Sequence, residues 1–202
     1  MPELQHRFLA ILLPRIPGVA SIEEEVAPSW LIRPGSAEFG EAAELVGDVY
    51  TELTGLELPD VMPARERRRL DAIVRYTDGT SRVIEFDERQ HFTGARATTL
   101  DYYHGLPVAF DVDAWRARAR SNAGRDPGGG FARPCPPLFP GPGGRHRQRA
   151  FRDMLADVLP IARGWRPTAR IDDTQARSIL DEDATGDAAQ RHWRDITSGS
   201  DN

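Results

Sequence analysis

The sequence predicts an α/β layered fold in which helices flank a mixed central sheet. Three observations support this prediction. Residues 36–53 repeat apolar side chains at helical spacing, residues 69–91 alternate apolar and polar side chains around an Asp-Gly turn, and a short apolar run follows at 106–112. The resulting order of helix, strand, strand, helix, strand and helix is typical of a layered α/β domain.

The chain begins with a short helix and an extended stretch. Residues 3–13 are predicted to be helical up to Pro14, because proline ends a helix. Residues 18–35 are predicted to be extended or looped. The next helix starts at Ser36, a candidate N-cap, and ends before Gly55, which suits a C-terminal cap.

A β-hairpin over residues 69–91 is the clearest element. Residues 77–80 have the sequence Thr-Asp-Gly-Thr, which favours a tight hairpin turn. The return strand is predicted to run to about residue 92. Side chains alternate along a strand, so Glu85 and Asp87 lie on one face and Phe86 on the other.

The remaining segments complete one predicted domain, residues 1–171, with its core at 36–112. A basic segment, 114–171, contains a loop at 121–144 with seven glycines and six prolines. The acidic tail, 172–202, is predicted to be disordered. The other predicted elements are a helix at 96–104, a strand at 106–112, a helix from Ala114 and an amphipathic basic helix at 145–159.

Composition excludes several kinds of active site. All 26 basic residues are arginine, so a P-loop, a Schiff-base enzyme and a protein kinase each lack their lysine. The single cysteine, Cys135, excludes an internal disulfide and a cysteine zinc cluster. No apolar run approaches the roughly 20 residues that cross a bilayer. We therefore expect a cytoplasmic protein without a membrane partner.

Charge is segregated along the chain. Residues 1–113 carry 20 acids and 11 arginines, whereas residues 114–171 carry 3 acids and 12 arginines. The basic block suits contacts with nucleic-acid phosphates. An equally open interpretation is a solvated surface that forms salt bridges with the acidic half.

Three carboxylates are predicted to meet in the hairpin. Asp71 lies in the first strand, and Glu85 and Asp87 share a face of the second. Side chains opposite each other on paired strands have Cβ atoms roughly 5 Å apart. Converging acids repel unless a cation binds them, so the pattern predicts Mg²⁺, with Mn²⁺ as substitute. The alternative is a polar outer face whose acids pair with nearby arginines.

Asp71 followed by the hairpin and the run VIEFDERQHF resembles the core of the PD-(D/E)XK nucleases. The branch related to very-short-patch-repair endonucleases is the most similar. The resemblance covers residues 36–112 and implies a restriction-endonuclease-like core and a Mg²⁺-dependent endonuclease that hydrolyses DNA. It also implies a glutamate from the preceding helix, for which Glu38 is the first candidate and Glu41 the second.

The sequence departs from the family pattern at one catalytic position. The usual lysine would stand where Asp87 is, two residues after Glu85. The resemblance implies that polar or histidine side chains replace it. Gln90 is expected to orient a water or contact phosphate, and His91 to act as general base. Equally open is that His91 only caps the end of a buried strand.

Substrate contacts are expected from arginines. Arg96 lies one turn into the helix after the hairpin, and four more arginines begin the basic helix, where they oppose the helix dipole. A bound phosphate would compensate their charge.

A homodimer is one route to cutting both strands. The alternative function is a non-catalytic member of the same fold that binds nucleic acid or protein. The four arginines of the basic helix are Arg145, Arg147, Arg149 and Arg152.

Overall fold

The computed structural model describes residues 2–12, 15–63, 68–126, 128–182 and 187–198. Within these residues the strands are β1 (Val19–Val26), β2 (Leu70–Tyr76), β3 (Ser81–Asp87) and β4 (Arg166–Asp172). The α-helices are α1 (Pro2–Leu12), α2 (Ser36–Phe39), α3 (Ala43–Thr54), α4 (Gly94–Leu100), α5 (Val112–Asn122), α6 (Gly144–Val158), α7 (Asp173–Glu182) and α8 (Asp187–Ser198).

The four strands form one mixed sheet in the order β1-β2-β3-β4. β1 is antiparallel to β2, and β2 is antiparallel to β3, whereas β4 is parallel to β3. Ala72 pairs with Ile84 in the hairpin, and Glu85 lies beside Arg170 of β4. The predicted α/β class, with a mixed sheet flanked by helices, is therefore confirmed.

The two faces of the sheet are covered differently. On one face, Ala72, Val74, Ile84 and Phe86 pack with apolar side chains of α1, α7 and α8. On the other face, Ile73 and Val83 belong to the larger core that α3, α4 and α6 complete. Strand alternation places Asp71, Glu85 and Asp87 on this second face, against α6.

The predicted helix from Ser36 is broken near its start. It consists of α2, a 3₁₀ turn at Gly40–Ala42, and α3. Gly40 has φ of +52°, a left-handed conformation that an α-helix cannot contain. After the break, Val46, Val49, Tyr50 and Leu53 form the buried face of α3, and Gly55 ends it as predicted.

The predicted third strand at 106–112 is wrong. That segment makes one isolated bridge, Ala109 to Ala169. The position beside β3 belongs instead to β4, which the sequence pattern did not indicate. β4 was missed because its polar residues, Thr168, Arg170 and Asp172, are buried although they look like those of a solvent-exposed strand face.

The prediction of a disordered tail is not supported in the described residues, where 173–182 and 187–198 are helical. Ala176 and Ile179 of α7 and Trp193 of α8 are buried in the core on the α1 side of the sheet. These few apolar residues suffice to dock helices whose other residues are mostly polar.

The glycine- and proline-rich loop is fastened to the start of α6. Backbone hydrogen bonds join Gly143 to Ala132 and Arg145 to Arg133, both at 2.8 Å. A side chain at Gly144 would lie 2.2 Å from the carbonyl oxygen of Phe139, so only glycine fits there. No helix in the described ranges is long and apolar enough to span a membrane.

Candidate functional site

The candidate site is a layer of charged side chains between the sheet and α6. Asp71 lies at the edge of the hairpin pairing, where its Oδ2 accepts a hydrogen bond of 2.7 Å from the backbone N–H of Phe86. The backbone N of Asp71 lies 3.4 Å from Oε1 of Glu85. The predicted meeting of these two residues across the hairpin is therefore observed.

Glu85 is buried, with 2% of its surface exposed. Its Oε2 accepts a hydrogen bond from the guanidinium of Arg68. Burial raises the pKa of Glu85 to about 8, although Arg68 acts in the opposite direction. Burial also raises the pKa of Asp71, against the hydrogen bond from Phe86. A nearby cation therefore favours the ionised form of both carboxylates.

Asp87 has both oxygens engaged by protein donors. Oδ1 accepts from Nη1 of Arg170 and Oδ2 from Nε1 of Trp115, each at 2.7 Å. Burial alone would raise the pKa of Asp87, but Arg170 and then His91 outweigh it and hold that pKa below its ordinary value. Asp87 is therefore a buried ion-pair partner. Its carboxylate is less suited to binding a ligand than the carboxylates of Asp71 and Glu85.

Helix α6 contributes two fully buried acids, Asp153 and Asp157. Asp157 accepts from Nε of Arg170 at 2.8 Å, from Nη2 of Arg96 at 2.9 Å and from the hydroxyl of Tyr103 at 2.6 Å. Arg170 donates in addition to the backbone carbonyl of Asp153 at 2.8 Å. Arg170 is thus the residue through which β3, β4 and α6 are tied together.

His91 follows β3 in the 3₁₀ turn Arg89–His91. Its Nδ1 lies 3.0 Å from Oδ2 of Asp153 and 3.4 Å from Oδ1 of Asp87. Burial lowers the pKa of His91, but the charge and hydrogen bond of Asp153 raise it more, so the net shift is upward. Burial would raise the pKa of Asp153, but His91 and then Arg68 hold it well below its usual range.

Gln90 lies in the same turn, beside the cluster. Its side-chain amide nitrogen donates to Glu88 at 2.9 Å, and its backbone carbonyl oxygen accepts from Nη1 of Arg149 at 3.1 Å. Arg149 thereby joins α6 to the turn that carries His91. Gln90 is therefore near the cluster, as predicted, with its side chain held by Glu88.

Glu38 lies outside the cluster. Its carboxylate accepts a hydrogen bond of 2.9 Å from the backbone N–H of Gly35, which caps α2. Its backbone carbonyl accepts from Arg163 at 3.3 Å. In the described part of the chain, neither contact of Glu38 involves a residue of the cluster, so the structure supports a helix cap and gives no catalytic position.

Arg96 is not a surface arginine, contrary to the expectation of a phosphate contact. It is 1% exposed and its guanidinium is bound by Asp157, Tyr103 and Thr99. Helical geometry explains the correction, because the side of α4 that carries Ala97 and Leu100 faces the core. Arg96 therefore helps to hold Asp157 in place.

The arginines of α6 divide by face. Arg145, Arg149 and Arg152 are spaced by four and three residues and so lie on one side of the helix, where they are half-buried. Arg147 lies on another side, and its guanidinium approaches the turn at Gly141. Three of the four predicted arginines thus form one basic stripe, Arg145, Arg149 and Arg152, that begins beside the turn of His91.

A magnesium ion fits part of the predicted carboxylate set. Asp71 keeps one oxygen beyond the one bound by Phe86. Both oxygens of Glu85 accept hydrogen bonds, Oε2 from Arg68 and Oε1 from the backbone N of Asp71, but the second is long at 3.4 Å. Both oxygens of Asp87 accept bonds of 2.7 Å. Mg²⁺ commonly uses one or two carboxylates and retains several waters. No group of three or more His, Cys, Asp or Glu side chains in the described residues is arranged to hold a metal ion. The donor set is therefore Asp71 and Glu85.

Sequence reasoning missed Asp153, Asp157, Arg170 and Arg68. One signal was present for the two acids. They are two of only three acids among residues 114–171 and lie four residues apart in the mostly apolar C-terminal half of α6. Buried acids in such a position require cations. Arg170 carried no comparable signal, because residues 114–171 contain twelve arginines.

Comparison of the chain with protein-family models, with curated proteins and with solved structures finds no match.

Proposed function

We propose that this chain is a metal-dependent endonuclease that hydrolyses phosphodiester bonds in DNA. The observation that carries the proposal is the meeting of Asp71 and Glu85 on adjacent strands, where the backbone N of Asp71 lies 3.4 Å from Oε1 of Glu85. Asp71 keeps one oxygen beyond that bound by Phe86, and each oxygen of Glu85 keeps a second lone pair. They would bind Mg²⁺, or Mn²⁺ in its place. When bound, such an ion supplies charge stabilisation at a phosphate and a water of lowered pKa.

His91 has the setting of a general base. Asp153 holds Nδ1, so the neutral ring donates Nδ1–H to Asp153 and keeps its lone pair on Nε2. Nε2 is then the atom that accepts a proton from water. A buried carboxylate in this role fixes the tautomer and orientation of the ring and does not itself take the proton.

The basic stripe of α6 supplies the contacts to the phosphate backbone. Arg149 binds the carbonyl of Gln90, one residue before His91, so a strand along the stripe passes the cluster. The first turn of α6 contains two arginines and no acid, an arrangement that the helix dipole disfavours unless an anion is bound. Phosphates of the substrate are the anions we propose.

A plasmid-nicking assay tests the proposal. The full chain is incubated with supercoiled DNA in Mg²⁺, in Mn²⁺ and in EDTA, and we expect nicking in both metals that EDTA abolishes. Nicked circles should appear before linear DNA, since one site cuts one strand at a time. A homodimer that cuts both strands at once would give linear DNA first.

The variant to compare is Asp71→Asn, which keeps an oxygen for the N–H of Phe86. We expect its nicking rate to fall by at least about a hundredfold, since even outer-shell partners of a metal contribute about 10–100-fold. Asp78→Asn is the matched control, because Asp78 also accepts from a backbone N–H, that of Thr80 at 2.9 Å, outside the cluster. Equal activity of Asp71→Asn and the parent chain would refute the metal site.

A second candidate function is binding of nucleic acid without cleavage. The observation that favours it is Arg68, whose guanidinium binds Glu85 and lies 3.3 Å from Asp153. An arginine there offsets negative charge without a metal. Retained DNA binding with no nicking in either metal would decide for this candidate, and the same assay on RNA would identify a different substrate.

A further inference from the structure

A cavity of about 440 Å³ opens at the carboxyl ends of the parallel strands β3 and β4. Its walls come from the start of α5, the end of β4, and α7 and α8. Phe110 and Trp115 line one side, and Gln175, His192 and Asp195 line another. The carboxyl ends of strands in open α/β sheets are where ligands generally bind, and the volume lies in the range of ligand pockets.

The cavity shares one wall with the charged cluster. Trp115 lines it and also donates Nε1–H to Asp87. Arg170 lines it as well, but its guanidinium nitrogens donate to Asp157, Asp87 and the carbonyl of Asp153. A ligand in the cavity would therefore touch the side chains that position Asp87 without taking over the donors of Arg170.

The chemistry of the lining disfavours a phosphate. Arg170 is already committed, and Asp111 and Asp195 place carboxylates in the walls. What the cavity offers is the partly exposed ring of Phe110, which packs against the buried ring of Trp115 with 5.4 Å between the centroids, together with polar side chains. Oε1 of Gln175 accepts from the backbone N–H of Asp172 at 3.0 Å, which leaves its amide as a donor beside the two carboxylate acceptors.

We infer that this cavity binds a nucleobase. A base has a planar face that stacks on aromatic side chains and an edge of mixed donors and acceptors. A second cavity of about 510 Å³ shares Gln175, His192 and Asp195 and gives room for the attached sugar. The base comes either from the substrate strand, in which case the inference rests on the proposed function, or from a free nucleoside.

The test follows the indole N–H of Trp115 by NMR. Its resonance is assigned by its loss in Trp115→Phe. The four 2′-deoxynucleosides are titrated into the full chain in EDTA, with deoxyribose 5-phosphate as the control without a base. We expect at least one nucleoside to shift the resonance, and the control to leave it unchanged.

Phe110→Leu is the variant that removes the stacking surface, and Phe131→Leu, at an aromatic residue that is 50% exposed elsewhere, is its matched control. Phe110→Leu should weaken nucleoside binding by about tenfold, within the usual contribution of base stacking, while Phe131→Leu binds normally. If thermal unfolding shows that Phe110→Leu does not fold, Gln175→Ala replaces it. Unchanged binding in the folded variant would overturn the inference.

The source of the base is decided by a single-stranded oligonucleotide and its abasic counterpart. A shift produced only by the intact oligonucleotide assigns the base to the substrate strand. A shift produced by nucleosides but by neither oligonucleotide assigns a free nucleoside. No shift with any of these ligands overturns the inference. Cleavage is not measured, so the nuclease proposal and this inference fail independently.

Discussion

Strand β4 carries two arginines, Arg166 at its start and Arg170 near its end, and each binds an aspartate. Nη2 of Arg166 lies 2.6 Å from Asp78 in the hairpin turn, with the two side chains 37% and 50% exposed. Nη1 of Arg170 lies 2.7 Å from Asp87, with side chains 0% and 1% exposed. The two pairs have the same chemistry and nearly the same length, and they differ in their surroundings.

The difference teaches what burial adds to an ion pair. An exposed pair replaces water by another polar partner and contributes little to stability. Water does not solvate a buried pair, so removal of one partner leaves the other charge buried and uncompensated. Arg170 cannot be removed without stranding Asp87 and Asp157 together, whereas Asp78 can exchange Arg166 for solvent. The buried end of β4 is therefore the end at which geometry is fixed.

The largest expected effect is that of Arg170→Met. This variant keeps the length of the side chain but leaves Asp87 and Asp157 with fewer cations, and we expect the free energy of unfolding to fall by about 3–5 kcal/mol. Arg166→Met is the matched control and should cost about 0–1 kcal/mol. Urea unfolding at neutral pH measures both. Equal losses would mean that burial does not distinguish the two ends.

The hairpin shows how much of this arrangement the sequence could predict. The Asp-Gly turn fixed the register, and strand alternation then placed Glu85 and Asp87 on one face, facing α6. These are local features, in which residues close in sequence decide the structure. The contact of Asp71 with Glu85, and the buried side of α6, were accessible for the same reason.

Long-range partners were not accessible. Arg170 lies 83 residues from Asp87, and Asp153 lies 62 residues from His91. Nothing local marks Arg170 among the arginines of its segment. The sequence pattern did not reveal β4, because the strand buries charged side chains. The misassignment of Arg96 has the same origin, since its burial depends on Asp157 of α6.

A smaller effect is expected where one neutral donor to the cluster is removed. The hydroxyl of Tyr103 donates to the carboxylate of Asp157 at 2.6 Å, and hydrogen bonds to charged groups contribute about 1.5–3 kcal/mol. Tyr103→Phe should therefore lower the free energy of unfolding by that amount.

Tyr50→Phe is the matched control, because its hydroxyl donates at 2.8 Å to an uncharged acceptor, the carbonyl of Leu138, in the same core. We expect a loss of about 0.5–1.5 kcal/mol there. If Tyr50→Phe costs as much as Tyr103→Phe, the charge of Asp157 is not what makes its hydrogen bonds strong.

The basic stripe of α6 extends the comparison to DNA binding. If Arg149 and Arg152 contact phosphates, the double variant to glutamine should reduce the slope of log affinity against log salt by about 2, since each phosphate contact contributes about 0.9. Arg166→Gln, at the exposed end of β4, should leave the slope unchanged. Fluorescence anisotropy with a labelled duplex in EDTA measures both. A slope that falls equally in both variants would indicate that α6 has no special place in binding.

The smallest expected effect is the pH dependence of the exposed pair. The pKa of Asp78 is lowered to about 2, first by the hydroxyl and backbone N–H of Thr80 and only then by Arg166. A depressed carboxyl pKa stabilises the folded chain above the ordinary value of 3.8, and this stabilisation is lost as pH falls through about 2. Asp78→Asn should therefore remove part of the acid sensitivity of the melting temperature between neutral pH and pH 2.

Arg166→Met should remove much less of that sensitivity, because the hydrogen bonds of Thr80 remain. Paired melting curves of the two variants separate the turn from the arginine. If the arginine variant behaves like Asp78→Asn, then Arg166 controls the carboxyl, and the exposed pair resembles the buried one more than its surroundings suggest. At the buried end the arginine has the larger role, since Arg170 is the main group that opposes the effect of burial on the pKa of Asp87.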